Sequence, residues 1–132
     1  MKISEVSEKY DLTPDTLRYY ERVGLIPPVN RTDSGIRDYD DLDLRRVEFI
    51  KCMRGAGLPV DVLIEYVGLV QQGDPTAEAR RVILIEQRER LIDKIEELEK
   101  VLGILEHKID VYDQILLKAE QDFAEMEVEV SP

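Results

Sequence analysis

Tryptophan is absent, aromatic residues make up 6% of the 132 positions, and the chain holds a single cysteine and a single histidine. The lone Cys52 excludes an intramolecular disulfide and any multi-cysteine zinc site within one chain. No Ser/His/Asp set and no phosphate-cradling glycine loop is present, so an enzyme is the least expected class, and neither a cofactor nor a bound metal is expected. No apolar run approaches the roughly 18 to 20 residues that span a bilayer, and Met1-Lys2-Ile3-Ser4-Glu5 opens into polar amphipathic sequence rather than a signal peptide. No membrane partner is expected, and the expected compartment is the cytoplasm. At this length the chain accommodates one small core and one long element, which leaves little for a separate effector module.

Charge is abundant but uneven. Asp, Glu, Lys and Arg make up 36% of the chain and the net charge is −11, which taken alone argues against nucleic acid, because phosphate contacts need local Lys and Arg. The acid is concentrated in the second half: residues 1–58 balance to −1, residues 59–132 to −10. That distribution softens the objection, because the acid sits in the C-terminal half.

Ile3 to Leu12 reads as a short helix with Ser4 as its N-cap. Thr13 caps a second, Pro14 suits its first position, and Gly24 supplies a left-handed stop. Two short helices joined this closely form a helix-turn-helix. Pro27-Pro28 breaks the helical pattern, and Asp33-Ser34-Gly35 supplies turn chemistry between Val29-Asn30-Arg31 and Ile36-Arg37-Asp38-Tyr39, a small hairpin or wing. Asp40 or Asp41 caps a third helix ending near Gly55. Pro59 opens a fourth, with Leu63, Tyr66, Val67 and Val70 on one face, which stops at Gln72-Gly73-Asp74-Pro75.

Beyond Thr76, glycine and proline all but vanish: Gly103 is the only one before Pro132. One helix of about 40 residues, roughly 60 Å at 1.5 Å per residue, is expected. Ile95, Leu102, Ile109 and Leu116 fall at heptad position a and Leu84, Leu91, Leu98, Leu105 and Tyr112 at d, a coiled-coil seam that implies a homodimer. Arg88 is a charged a position, and His107 falls on the outer, solvated face. The fold class is thus mainly α, divided into a winged helix-turn-helix DNA-binding domain over 1–75, a coiled-coil dimerisation helix over 76–120, and a short acidic tail over 121–132.

Stepping about 100° per residue from an inward Leu17 turns Asp15, Tyr19 and Arg22 outward, with Thr16 and Arg18 on the flanks. Arg18 can fork onto guanine or grip a phosphate, Thr16 can meet a base edge or a thymine methyl, and Tyr19 can bond a phosphate. Tyr20 points partly back toward the domain, and Tyr39 ends a strand beside a helix cap, so packing competes with DNA contact at both.

Thr16-Leu17-Arg18-Tyr19-Tyr20-Glu21-Arg22-Val23-Gly24-Leu25, with Gly35-Ile36-Arg37-Asp38-Tyr39 in the wing and Gly55-Ala56-Gly57-Leu58-Pro59 further on, closely resembles the MerR family, and the resemblance covers the whole chain. It implies a sequence-specific transcriptional regulator that binds a pseudo-palindromic element in double-stranded promoter DNA, with RNA polymerase as a partner at that promoter. Such dimers bind an overlong spacer and activate by bending and untwisting it. It also implies that Arg31 and Arg37 on the wing, and Arg54, grip the DNA backbone.

Within the family, Phe49-Ile50-Lys51-Cys52-Met53-Arg54 resembles the NmlR/AdhR branch, linked to aldehyde, nitrosative or other electrophile stress, and this implies that Cys52 is a sensor thiol. An adduct there, on the third helix, is expected to force volume against the packing between the DNA-binding head and the start of the fourth helix. A buried core cysteine with a non-covalent inducer is the alternative, as is an excisionase-like or architectural DNA-binding protein. Metal-responsive members carry paired cysteines near the end of the dimer helix. None is present here.

Overall fold

A computed structural model describes residues 1–130, with side chains described through Met126. Two compact units divide the chain, the first spanning Met1–Glu89 and the second beginning at Arg90.

The first unit starts with α1 (Ile3–Tyr10) and α2 (Pro14–Val23). The cap of α1 is Lys2 rather than Ser4: the Glu5 carboxylate, at the third helical position, accepts the Lys2 N–H at 3.1 Å, satisfying a donor that precedes the expected start. Asp11 ends the helix in a left-handed conformation, φ 52°. In α2 the sequence signals act as read. Thr13 Oγ1 accepts the Thr16 N–H at 3.1 Å, and Gly24 takes φ 87°. That turn directs Leu25 and Ile26 into the core with Leu17, Tyr20 and Val6.

The wing is thinner than a hairpin of two strands. Arg31 and Arg37 form a single antiparallel bridge, flanked by Thr32 N–H to Ile36 O and Asp38 N–H to Asn30 O, both 2.7 Å. Pro27 and Pro28 have no N–H to extend the entering arm, and the Tyr39 N–H donates to the Met1 carbonyl instead.

Helix α3 (Asp41–Gly55) carries a reciprocal cap, Asp43 N–H to Asp40 at 2.8 Å and Asp40 N–H to Asp43 at 3.0 Å. It buries Leu44, Val47 and Ile50, and Arg54 closes its end by donating to the Leu58 carbonyl at 2.7 Å. Helix α4 (Val60–Gln72) buries Leu63 and stops at Gly73, φ 86°. A 3-10 turn, Asp74–Thr76, follows.

Helix α5 (Ala77–Val130) is 54 residues long and does not end near 120. Nothing stops it, because neither glycine nor proline occurs from Ile104 to Val130; most of the stretch expected as a tail is helix, and residues 131–132 lie outside the described residues. The apolar repeat continues with it: Phe123 occupies the next a position and Met126 a d position. Every expected seam residue from Leu84 to Leu116 is exposed in the single chain, as are Phe123 and Met126. Among the described residues no helix is long and apolar enough to cross a membrane.

Candidate nucleic-acid interface

Helix α2 buries Leu17 and Tyr20, one turn apart, and this fixes which side faces outward. Arg18 and Arg22 are exposed there and Thr16 and Tyr19 half-buried. Arg18 pairs with Asp15 at 2.9 Å, an exposed contact that a phosphate or base edge can replace at little cost. The Arg22 guanidinium stacks over Tyr19, 5.6 Å from the ring centre, and the Thr16 hydroxyl shares a hydrogen bond with Thr13.

The wing brings a third arginine to the same place. Arg37 Nε donates to Glu21 Oε1 at 2.8 Å, and Glu21 Oε2 accepts the Val29 N–H at 3.1 Å. Arg18, Glu21, Arg22, Pro28 and Arg37 line a groove of about 360 Å³. Arg31 stays at the exposed tip, its guanidinium donating to the Gly35 carbonyl at 3.1 Å, where it braces the turn.

Three expected contacts stand elsewhere. Tyr20 and Tyr39, 5% and 2% exposed, are core residues, which corrects their placement on the DNA face: the first packs beneath α2, and the second follows the returning arm of the wing inward. Burial pushes the Tyr20 phenol above its ordinary pKa, with Arg54 opposing. Burial likewise raises Tyr39, with Arg37 and Arg18 opposing and Glu21 and Asp43 adding to the rise; its hydroxyl has no hydrogen-bond partner in the structure. Arg54 is exposed, but its guanidinium braces the turn after α3.

Cys52 is exposed in the single chain, so its thiol is not part of the head's own core. Its neighbour Lys51 donates to the Tyr10 carbonyl and ties α3 to the end of α1. Cys52 thus sits between two side chains, Lys51 and Arg54, that hold the head's connections. Glu21 escaped the sequence reading because its partners, Val29 and Arg37, lie 8 and 16 residues away. An acid inside an arginine-bearing helix face was the only signal of it.

A family model described as MerR HTH family regulatory protein matches residues 1–68, and a second, described as MerR, DNA binding, matches residues 44–108. The HTH-type transcriptional regulator AdhR of Bacillus subtilis (strain 168) is 60% identical over 93 residues, which span 70% of this chain and 66% of AdhR. A MerR family transcriptional regulator from Listeria monocytogenes superposes with a TM-score of 0.92 at 43% identity, covering 99% of both chains. HiNmlR, a MerR family regulator lacking the sensor domain and solved bound to promoter DNA, superposes with a TM-score of 0.79 at 28% identity, covering 86% of this chain and 90% of that one.

Proposed function

The chain belongs to the MerR family of helix-turn-helix regulatory proteins, and from that premise we propose that it acts as a homodimer on promoter DNA, setting α2 of each head in a major groove. The observation that carries this reading is the convergence of Arg18, Arg22 and Arg37 on one groove of a chain whose net charge is −11. Three arginines gathered on one face of so acidic a protein suit a polyanion. Arg18 reads a base, Thr16 and Tyr19 flank it, and Arg22, Arg31 and Arg37 grip backbone. Pairing through α5 covers the exposed stripe and doubles the contact surface, as an inverted repeat requires. The role is regulatory rather than catalytic, with RNA polymerase at the same promoter as the partner acted upon. Selection from a pool of random duplexes tests it: one inverted repeat should be enriched, and recovery of a random pool would end the reading.

The input is covalent modification of Cys52 by an aldehyde, a nitrosating agent or another electrophile. Exposure of the chain's only thiol supports this, together with its place between the Lys51 and Arg54 braces. A second reading has its own support: an apolar cleft of about 260 Å³ between the end of α2, α3 and α4, lined by Leu25, Phe49 and Tyr66 with Arg45 and Arg46, has room for a small non-covalent inducer. A promoter-reporter assay with Cys52→Ser separates them. Lost induction with retained DNA binding supports the thiol, and full induction supports the cleft.

A further inference from the structure

The arginine groove contains one acid, and its presence has a cost. A carboxylate beside Arg18, Arg22 and Arg37 repels every DNA phosphate that approaches, so for backbone affinity alone any neutral residue would serve better. Glu21 is nonetheless fully engaged. Its Oε1 accepts the Arg37 Nε–H at 2.8 Å and its Oε2 the Val29 N–H at 3.1 Å, with the carboxylate side chain 13% and Arg37 23% exposed. Val29 precedes the turn of the wing and Arg37 follows it, so one carboxylate on the recognition helix holds both arms.

We infer that Glu21 is a positioning residue for sequence discrimination: it locks the wing to the recognition helix and aims Arg37, whose Nε is occupied and whose two terminal nitrogens are left to fork onto a phosphate in register with Arg18. This rests on the DNA-binding reading above and extends it. Pre-organisation removes the ordering cost of a long side chain at the moment of binding. It also makes the grip conditional, because an aimed fork meets a phosphate only when the head sits in the correct register. An unclamped Arg37 would find phosphates in any register.

This role has an opposite-sign signature that loss of head stability cannot mimic. In Glu21→Gln a negative charge leaves the groove, so affinity for a scrambled duplex should rise about two- to threefold, while affinity for the duplex enriched by the wild-type chain should fall about tenfold. General destabilisation would weaken both. The experiment is fluorescence anisotropy of wild type, E21Q, R37A and E21Q/R37A on the enriched duplex and on a scrambled duplex of the same length, with thermal melts alongside. Arg37→Ala should weaken both duplexes, and adding E21Q to it should change the enriched-to-scrambled ratio far less than E21Q does alone, since only the Val29 contact is then left to lose. A ratio within twofold of wild type in E21Q, or an equal loss of ratio with and without Arg37, overturns the proposal. If E21Q melts well below wild type, Glu21→Asp decides instead. It keeps the charge but withdraws the carboxylate by one methylene, so only the enriched duplex should weaken, and an unchanged ratio there overturns the proposal. Failure of the wild-type chain to enrich any sequence would show earlier, in a separate step, that the DNA-binding premise is wrong.

Discussion

The first unit and the second bury their apolar residues in different ways. Within Met1–Glu89 the residues Leu17, Ile26, Val47 and Ile50 are at most 1% exposed, held by caps, turns and packing from several helices. From Arg90 onward there is one helix, and its leucines and isoleucines face outward. The head contains its own core, whereas the second unit has half of one and needs a second copy to supply the rest. Stability therefore resides in the head and the unmet apolar surface in the long helix, so substitutions in the two units should fail in different assays.

The largest effect is expected in the coil. Leu98→Lys with Leu105→Lys places charges at adjacent d positions, and sedimentation should show monomers with operator affinity lowered by a hundredfold or more, while the near-native melting of the head is retained. A stable dimer from this variant would erase the distinction. In the head, Leu17→Ala should cost about 2 to 5 kcal/mol of stability through a cavity that cannot collapse, read by thermal or denaturant unfolding. The oligomeric state of the chains that remain folded should be unchanged.

Smaller changes sharpen the division within the head. Arg18→Ala should cost about 1 to 3 kcal/mol on the enriched duplex and relax preference at one position per half-site, measured by anisotropy on single-base variants. Loss spread evenly over all sequences would reassign Arg18 to the backbone. The smallest effect concerns the cap of α3. The Asp43 backbone N–H, first among several contacts, holds the Asp40 carboxyl below its ordinary value. Its stabilisation is therefore present above the unfolded-state pKa and lost as pH falls through the depressed one. Asp40→Ala should melt slightly lower than wild type at pH 7, and the gap should close in acid. A gap that widened on acidification would contradict the assignment.

Local chemistry was legible in the sequence where one residue decides the outcome. Thr13, Pro14 and Gly24 delimit α2 because cap, first position and left-handed stop each have strong residue preferences. The lack of breakers marked one long helix and the a/d repeat its exposed apolar stripe; the helix runs further than expected, since an acidic composition resembles a tail although no breaker interrupts it before Val130. What depends on the third dimension stayed hidden. Tyr20 and Tyr39 lie in a motif that invites DNA contact, yet both complete the core. Cys52 follows the buried Ile50 by two residues, enough to turn it out of the core. The Glu21–Arg37 pair joins elements separated by the wing, and no periodicity reports such a contact.

The central claim is that two heads, joined only through α5, read one duplex. The mass of the complex formed on the enriched duplex, measured by sedimentation or light scattering, tests it most directly. The account predicts two chains per duplex for the wild type, and for L98K/L105K no two-chain complex at concentrations where the wild type is saturated. One chain per duplex for the wild type, or a two-chain complex of undiminished affinity for the lysine variant, would contradict it.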